Sequence, residues 1–262
     1  MPEPEPTVLY EREGHIATIT YNRPEALNAV NGQLRRDLNA AWEQLRTDDE
    51  AWVAIVTGAG RAFCAGADLK DPLSSVGNDE HSFWEVPSLT SLESGKEIWK
   101  PVIAAVNGYA LGFGLTLVAS CDVVLASDRA EFGFPEVQIG VPTVQGAVRM
   151  PRLIGWQGAM ELLLWGDRID AKRAKELGLV MRVVPHDDLM NEARDLAQRL
   201  IDNCAPLAVR ATKEIARRGQ ELPLVDAIRF GETMRKVAAA TEDAKEFRAA
   251  RERGERPQYE GH

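Results

Sequence analysis

From Val8 to Asn22 the sequence VLYEREGHIATITYN alternates apolar and polar positions on either side of Glu13-Gly14. A period of two is what half-buried strands require, and the glycine supplies a turn, so a β-hairpin is predicted. In NGQLRRDLNAAWEQLRTDD the period changes: Leu34, Leu38, Ala41, Trp42 and Leu45 fall on one helical face, with Asn31 placed to cap the helix. WVAIVTGAG, PVIAAVNG and DVVLAS are short unbroken apolar runs, the pattern of parallel strands buried on both faces. Between the last two lies ALGFGLTLVASCD, Ala110 to Asp122, without a charged side chain before Asp122. It reads as the crossover helix of a strand-turn-helix-strand unit. Beyond Val141 the pattern is mainly helical apart from LVMRVVP, a final strand from Leu179 to Pro185. The last sixty residues predict charged amphipathic helices with Phe230 and Phe247 on apolar faces, ending in a basic tail. The segment from Asp71 to Ser94, with Pro, Ser and Gly and little periodicity, reads as a long loop.

The whole is an α/β core carrying a helical C-terminal module. At 262 residues with 45% hydrophobic positions, the chain is long enough to bury a substantial core. The formal net charge of -9 opposes attraction to nucleic acid or to anionic membrane. No window approaches the apolar length that a bilayer needs, and the first residues, MPEPEPTVLY, lack the pattern of a secretory signal. A cytoplasmic location is expected. Cys64, Cys121 and Cys204 are odd in number and widely spaced, with no Cys-x-x-Cys pair and no His at ligand spacing, so neither disulfides nor a metal site is expected.

Several stretches could carry chemistry. Gly58-Ala59-Gly60 follows a predicted strand, as in a dinucleotide-binding turn, but the fingerprint's sixth position is Phe63 and no helix pattern follows, which argues against that reading. In CAGADLK, small residues before Asp68 would let a ligand approach the backbone; equally, Asp68 could cap a helical turn. Gly112 and Gly114 flank Phe113 where a strand gives way to a helix, which suits N–H groups facing a developing negative charge, or a tight turn before a buried helix. In EFGFPEVQIGVP, Glu136 sits among Phe132, Phe134, Val137 and Ile139. Burial there would raise its pKa toward acid-base work, while a solvated first-turn glutamate is the plain alternative. None of His15, His81, His186 and His262 has a local Ser or Cys context resembling a nucleophile elbow.

Taken in order, RPEALNAV, GRAFCAGADLK, KPVIAAVNGYALGFG, CDVVLAS, FGFPEVQIGVP and AKELGLVMRVVP resemble the enoyl-CoA hydratase/isomerase (crotonase) family from Asn22 to Pro185. The resemblance implies a crotonase-type ββα spiral core over residues 1–200, with residues 201–262 as a helical module that builds trimers and covers the pocket. It implies acyl-CoA thioester substrates, no separate cofactor, and a homotrimer or dimer of trimers. By the same resemblance the N–H groups of Ala67 and Phe113 bind the thioester oxygen, Glu136 is the acid-base residue, and Ala26, Leu27, Ala65, Asp68, Leu69, Gly112 and Gly114 line the ligand. Many family members have Gly where Phe113 stands, so its ring must turn away from the thioester or trim the pocket. His81, Phe83 and Trp84 either line the acyl pocket or pack the loop down.

The acids depart from the hydratase pattern. The resemblance places a first glutamate at position 116, where this chain has Thr116, leaving Glu136 alone. A hydroxyl positions water but is too weak an acid to exchange protons freely near neutral pH. Reversible hydration of a 2-enoyl-CoA is the leading expectation, with 3-enoyl to 2-enoyl isomerisation by one base as the alternative. A noncatalytic acyl-CoA-binding homologue and a Cys-dependent thioesterase represent other classes. For coenzyme A phosphates, Arg23, Arg35, Arg36 and Lys70 lie near the matching blocks, though Arg35 and Arg36 fall on the polar face of an amphipathic helix.

Overall fold

A computed structural model describes residues 6–71 and 91–262. The predicted hairpin is β1 (Val8–Glu13) and β2 (Ile16–Tyr21), paired antiparallel around Gly14 at φ 57°. Helix α1 (Gly32–Thr47) buries the five expected residues, and the Asn31 side chain accepts the Leu34 N–H at 2.8 Å as its cap. Strands β3 (Val53–Gly58), β5 (Val102–Val106) and β7 (Val123–Ser127) then lie side by side in parallel, with β10 (Arg182–Val184) beyond β7. Together they form a six-stranded sheet of order β1-β2-β3-β5-β7-β10.

The unbroken apolar runs have the anticipated cause. Ala54, Val56, Val102, Ala104 and Val106 enter one core cluster with α1, whereas Val53, Ile55, Ile103 and Ala105 enter another with Leu189, Ala193 and Ala197 of α5 (Leu189–Asn203). Successive side chains of a strand point to opposite faces, and here both faces are covered.

A second sheet was not legible as periodicity. Strands β4 (Ala62–Cys64), β6 (Tyr109–Leu111), β8 (Glu131–Gly133) and β9 (Ile169–Asp170) form a four-stranded sheet of that order. With two or three residues each, they are too short to display a period. They convert the expected strand-turn-helix-strand unit into a repeating two-strand step: β3 to β4, β5 to β6 and β7 to β8 each leave the large sheet and enter the small one. Helix α2 (Phe113–Val118) follows β6 directly. This is the crotonase-type spiral.

Helix α3 (Val144–Trp165) contains a break at Gly155, and α4 (Ala171–Glu176) precedes β10. Helices α6 (Pro206–Gly219), α7 (Leu224–Ala239) and α8 (Glu242–Arg253) complete the chain. Lys213 of α6 pairs with Asp122 at 2.6 Å, and Arg217 donates to the Ser120 carbonyl at 2.9 Å, tying α6 to the end of α2. Phe247, expected on an apolar face, is 48% exposed. The final strand is shorter than Leu179–Pro185, because Leu179 and Val180 bond back to the carbonyl of Ala174 before pairing begins. Of the Asp71–Ser94 loop, only Asp71 and Ser91–Ser94 fall among the described residues, and His81, Phe83 and Trp84 lie outside them. Among the described residues no helix is long and apolar enough to cross a membrane, and no group of three His, Cys, Asp or Glu side chains could hold a metal ion.

Candidate functional site

The site forms where β4 ends and α2 begins. After Cys64 the chain runs beside residues 27–30: Ala65 N–H donates to the Leu27 carbonyl at 3.0 Å, Val30 N–H to the Gly66 carbonyl at 2.8 Å, and Asp68 N–H to the Val30 carbonyl at 3.0 Å. Val30 and Ala67 thus form a parallel bridge. Because Gly66 and Asp68 supply both of its bonds, the N–H of Ala67 points to the opposite side. Ala67 is exposed there.

Glycines bring the second donor close. Gly66 has φ +100°, and a Cβ on it would stand 3.2 Å from the Leu111 carbonyl oxygen and 3.9 Å from the Gly112 Cα. Gly112 adopts φ 52° and ψ -116°, a combination open essentially to glycine alone. Its N–H donates to the Gly133 carbonyl, and its carbonyl accepts the Thr116 N–H, each at 2.9 Å, which opens α2. Phe113 is the first residue of that helix, where N–H groups lack intrahelical partners. Gly114 has a separate reason: a Cβ there would lie 2.3 Å from the Cys64 carbonyl oxygen. The bare ALGFG backbone therefore lets α2 begin against the end of β4. The Phe113 ring packs against the core and lies beneath Arg35 of α1, whose guanidinium carbon is 5.5 Å from the ring centroid.

Glu136 closes the site from the far side. Pro135 opens a short 3-10 helix, Pro135–Ile139, that carries it, and Gly140 in the left-handed region turns the chain back. The Glu136 carboxylate lies over Gly112, with Oε1 3.2 Å from where a Cβ would stand. Burial raises its pKa above the ordinary glutamate range, while its own backbone N–H and the Thr143 hydroxyl act in the opposite sense. Its Oε2 is buried without a hydrogen-bond partner. Phe132 and Phe134 are buried as expected, but Val137 and Ile139 turn outward, so the apolar surround is one-sided. Thr116, only 5% exposed, follows Gly112 by one helical turn.

The ends of the site are clamped by residues whose roles the sequence did not reveal. Asn28, fully buried, donates to the carbonyls of Ala59 at 2.9 Å and Ala62 at 2.7 Å and accepts the Arg23 N–H at 2.9 Å. Asn107 donates to Gly58 at 2.8 Å and Gly60 at 2.9 Å. These bonds explain the glycine turn that resembles a dinucleotide fingerprint; it leads into β4, not a helix. Arg23, a candidate for phosphate, instead donates to the Ala29 carbonyl and pairs with Asp68 at 3.1 Å. Asp68 also accepts the Lys70 N–H at 3.2 Å, the turn-capping role. Leu69 is 77% exposed. Arg36 bonds Gln33 on the solvent face, as an amphipathic helix predicts.

Another buried carboxylate, Glu93, is 3% exposed and accepts from the Ser91 hydroxyl, with burial raising its pKa. It influences Tyr21, Cys64 and Cys121 and is not among the groups that set the pKa of Glu136.

The sequence matches the enoyl-CoA hydratase/isomerase family over residues 11–262. This chain belongs to that family. Among relatives of the family, the (E)-benzylidenesuccinyl-CoA hydratase of Thauera aromatica is 39% identical over 94% of this chain and 96% of its own length. The short-chain-enoyl-CoA hydratase of Clostridium acetobutylicum is 36% identical over 93% of each chain. The crystal structure of enoyl-CoA hydratase from Mycobacterium tuberculosis superposes with a TM-score of 0.89 at 38% identity, covering 98% of this chain and 100% of that one. Within this fold the Ala67 loop, the Gly112–Phe113 turn and Glu136 lie together, with one carboxylate over the turn.

Proposed function

We propose that this family member adds water reversibly to a 2-enoyl-CoA through an enolate held at the Ala67 and Phe113 N–H groups. The observation that carries the reading is the meeting of three elements: the outward Ala67 N–H, the opening of α2 at Phe113, and the Glu136 carboxylate over Gly112. Fixed donors aimed at a developing oxyanion need no reorganisation, and losing one typically costs about 10²- to 10³-fold in rate. In hydration, Glu136 takes a proton from water as its oxygen bonds to the β carbon, and the double-bond electrons move to the thioester oxygen. Glu136 then returns the proton to the α carbon, so that hydroxide and proton together account for the added water. Thr116, lacking the acidity for proton exchange, orients the water or the substrate.

The named activities of the Thauera and Clostridium relatives, both hydratases, favour this assignment. Ala26, Leu27 and Ala65 offer backbone along the coenzyme A moiety, and Asp68 and Leu69 flank it. No cofactor is required beyond the coenzyme A carried by the substrate. Exposed apolar residues on α3, including Val144, Val148, Trp156 and Trp165, suit burial in a homotrimer or a dimer of trimers, with residues 201–262 as the module that assembles it. A cytoplasmic location suits the unpaired cysteines.

A second reading rests on the single carboxylate: one base can take a proton from C2 of a 3-enoyl-CoA and return it to C4. Incubation with 2-enoyl- and 3-enoyl-CoA in deuterated water separates these readings. Addition of water supports the hydratase; migration of the double bond without it assigns the isomerase; binding with neither turnover nor deuterium uptake rejects both.

A further inference from the structure

We infer that Arg35 and Phe113 form a specificity-determining pair, the guanidinium pinning the ring so that a straight acyl chain can enter the site; the inference rests on the acyl-CoA reading above and refines it. The backbone of Phe113 is held on both sides. Before it, the Gly112 N–H donates to the Gly133 carbonyl and the Gly112 carbonyl accepts the Thr116 N–H, each at 2.9 Å. After it, Gly114 stands so close to Cys64 that a Cβ would lie 2.3 Å from the Cys64 carbonyl oxygen. Only the side chain is left to choose a direction, through its own torsions. It turns to α1: the half-buried ring packs against the core, and the Arg35 guanidinium carbon lies over it, 5.5 Å from the centroid.

Arg35 is placed as firmly. Its N–H donates to the Asn31 carbonyl at 3.0 Å, and its neighbour Leu34 is fully buried. The Gly32 N–H donates to the Asp71 carboxylate at 2.8 Å, which fastens the start of α1 to the segment that carries Ala67 and Leu69. Residues three apart on a helix share a face, so Arg35 stands one turn along from that fastening. Among the described residues its guanidinium has no carboxylate partner, and the ring is its contact. A glycine at position 113 would leave this space open, whereas a ring with no cation over it could swing across the path of the acyl group. The exposed cation–π contact favours the pinned orientation by about two- to fivefold.

The test measures, by calorimetry, the binding of coenzyme A, acetyl-CoA and hexanoyl-CoA, saturated ligands to which no water can be added. Wild type is compared with Arg35→Met, Arg35→Lys, Phe113→Ala and the double variant Arg35→Met/Phe113→Ala. Methionine keeps an unbranched stem and removes the charge. Arg35→Met is expected to weaken hexanoyl-CoA binding about two- to fivefold while coenzyme A and acetyl-CoA bind as before. Arg35→Lys, which keeps a cation over the ring, is expected to bind all three as wild type does. Once Phe113 is alanine, adding Arg35→Met is expected to change nothing. An equal loss for all three ligands would make Arg35 a coenzyme A contact and overturn the pair. A loss that persists without the ring, or no loss for hexanoyl-CoA, would overturn it as well. A wild type that binds hexanoyl-CoA but hydrates no enoyl-CoA would end the hydratase reading and leave this test standing; one that binds no acyl-CoA would end both.

Discussion

The Glu136 carboxylate occupies the space that a side chain on Gly112 would need: a Cβ there would stand 3.2 Å from Oε1 and 3.4 Å from Cδ. The acid-base candidate and the turn that presents the Phe113 N–H are therefore packed as one unit. Gly112→Ala should displace the carboxylate and force a non-glycine residue into a positive-φ conformation, costing about 1–3 kcal/mol of stability. Gly14→Ala, at φ +57° with nothing within 4 Å, supplies the control for strain alone. Denaturant midpoints should fall for both variants, whereas turnover per folded molecule should fall only for Gly112→Ala.

Thr116 sits one turn along α2 in a nearly closed position. If its hydroxyl orients the attacking water, Thr116→Val, close in shape, should slow water addition to a 2-enoyl-CoA while leaving exchange of the α protons of a saturated acyl-CoA with deuterated water near its wild-type rate. One neutral hydrogen bond corresponds to about tenfold or less. Equal losses in both measurements would place the threonine in substrate binding instead.

Asn28 supports the site from below. Replacing it with Ala strips a partner from the carbonyls of Ala59 and Ala62 and from the Arg23 N–H. Buried groups left unsatisfied are costly, so Asn28→Ala should lose about 2–4 kcal/mol, read from urea unfolding.

The reach of the sequence is clearest in the contrast between α1 and β4. In α1, sixteen residues display the apolar stripe, and Asn31 marks its start, so the helix was legible. Three-residue strands cannot display a period of two, and their existence depends on partners distant in the chain, as Ala62 pairing with Tyr109 illustrates. The positions of Ala67, Phe113 and Glu136 were reached through the resemblance. The reason for each glycine between them was not, because it lies in contacts between segments, such as Gly114 against Cys64. The pairing of Arg23 with Asp68 was hidden for the same reason: the residues are neighbours only after Ala65 and Val30 come into register.

Cysteine chemistry supplies a prediction of opposite sign. Cys64 is fully buried, which pushes its thiol up to about 12, and burial likewise raises Cys121. The thiolate is the nucleophile, and at neutral pH almost none is present at either position. Thiol alkylation of the folded protein should leave turnover unchanged, and acyl-CoA should release no free coenzyme A. Alkylation that abolishes activity would revive the thioesterase reading.

The central claim is that Glu136 alone moves the protons. Because burial raises its pKa, the ionised base becomes available only above the ordinary glutamate range of about 4.3, and the rate should climb with pH through that raised value. The same burial stabilises the neutral carboxyl in the folded chain. Its stabilising contribution is full below the unfolded pKa and is lost as pH rises through the folded one, so Glu136→Gln should be no less stable than wild type at neutral pH. The most direct measurement is 2-enoyl-CoA hydration in deuterated water by wild type and Glu136→Gln, with thioester binding measured on both. Loss of water addition and of α-carbon deuterium uptake, with binding retained, is the predicted result; near-normal turnover by the variant would contradict it.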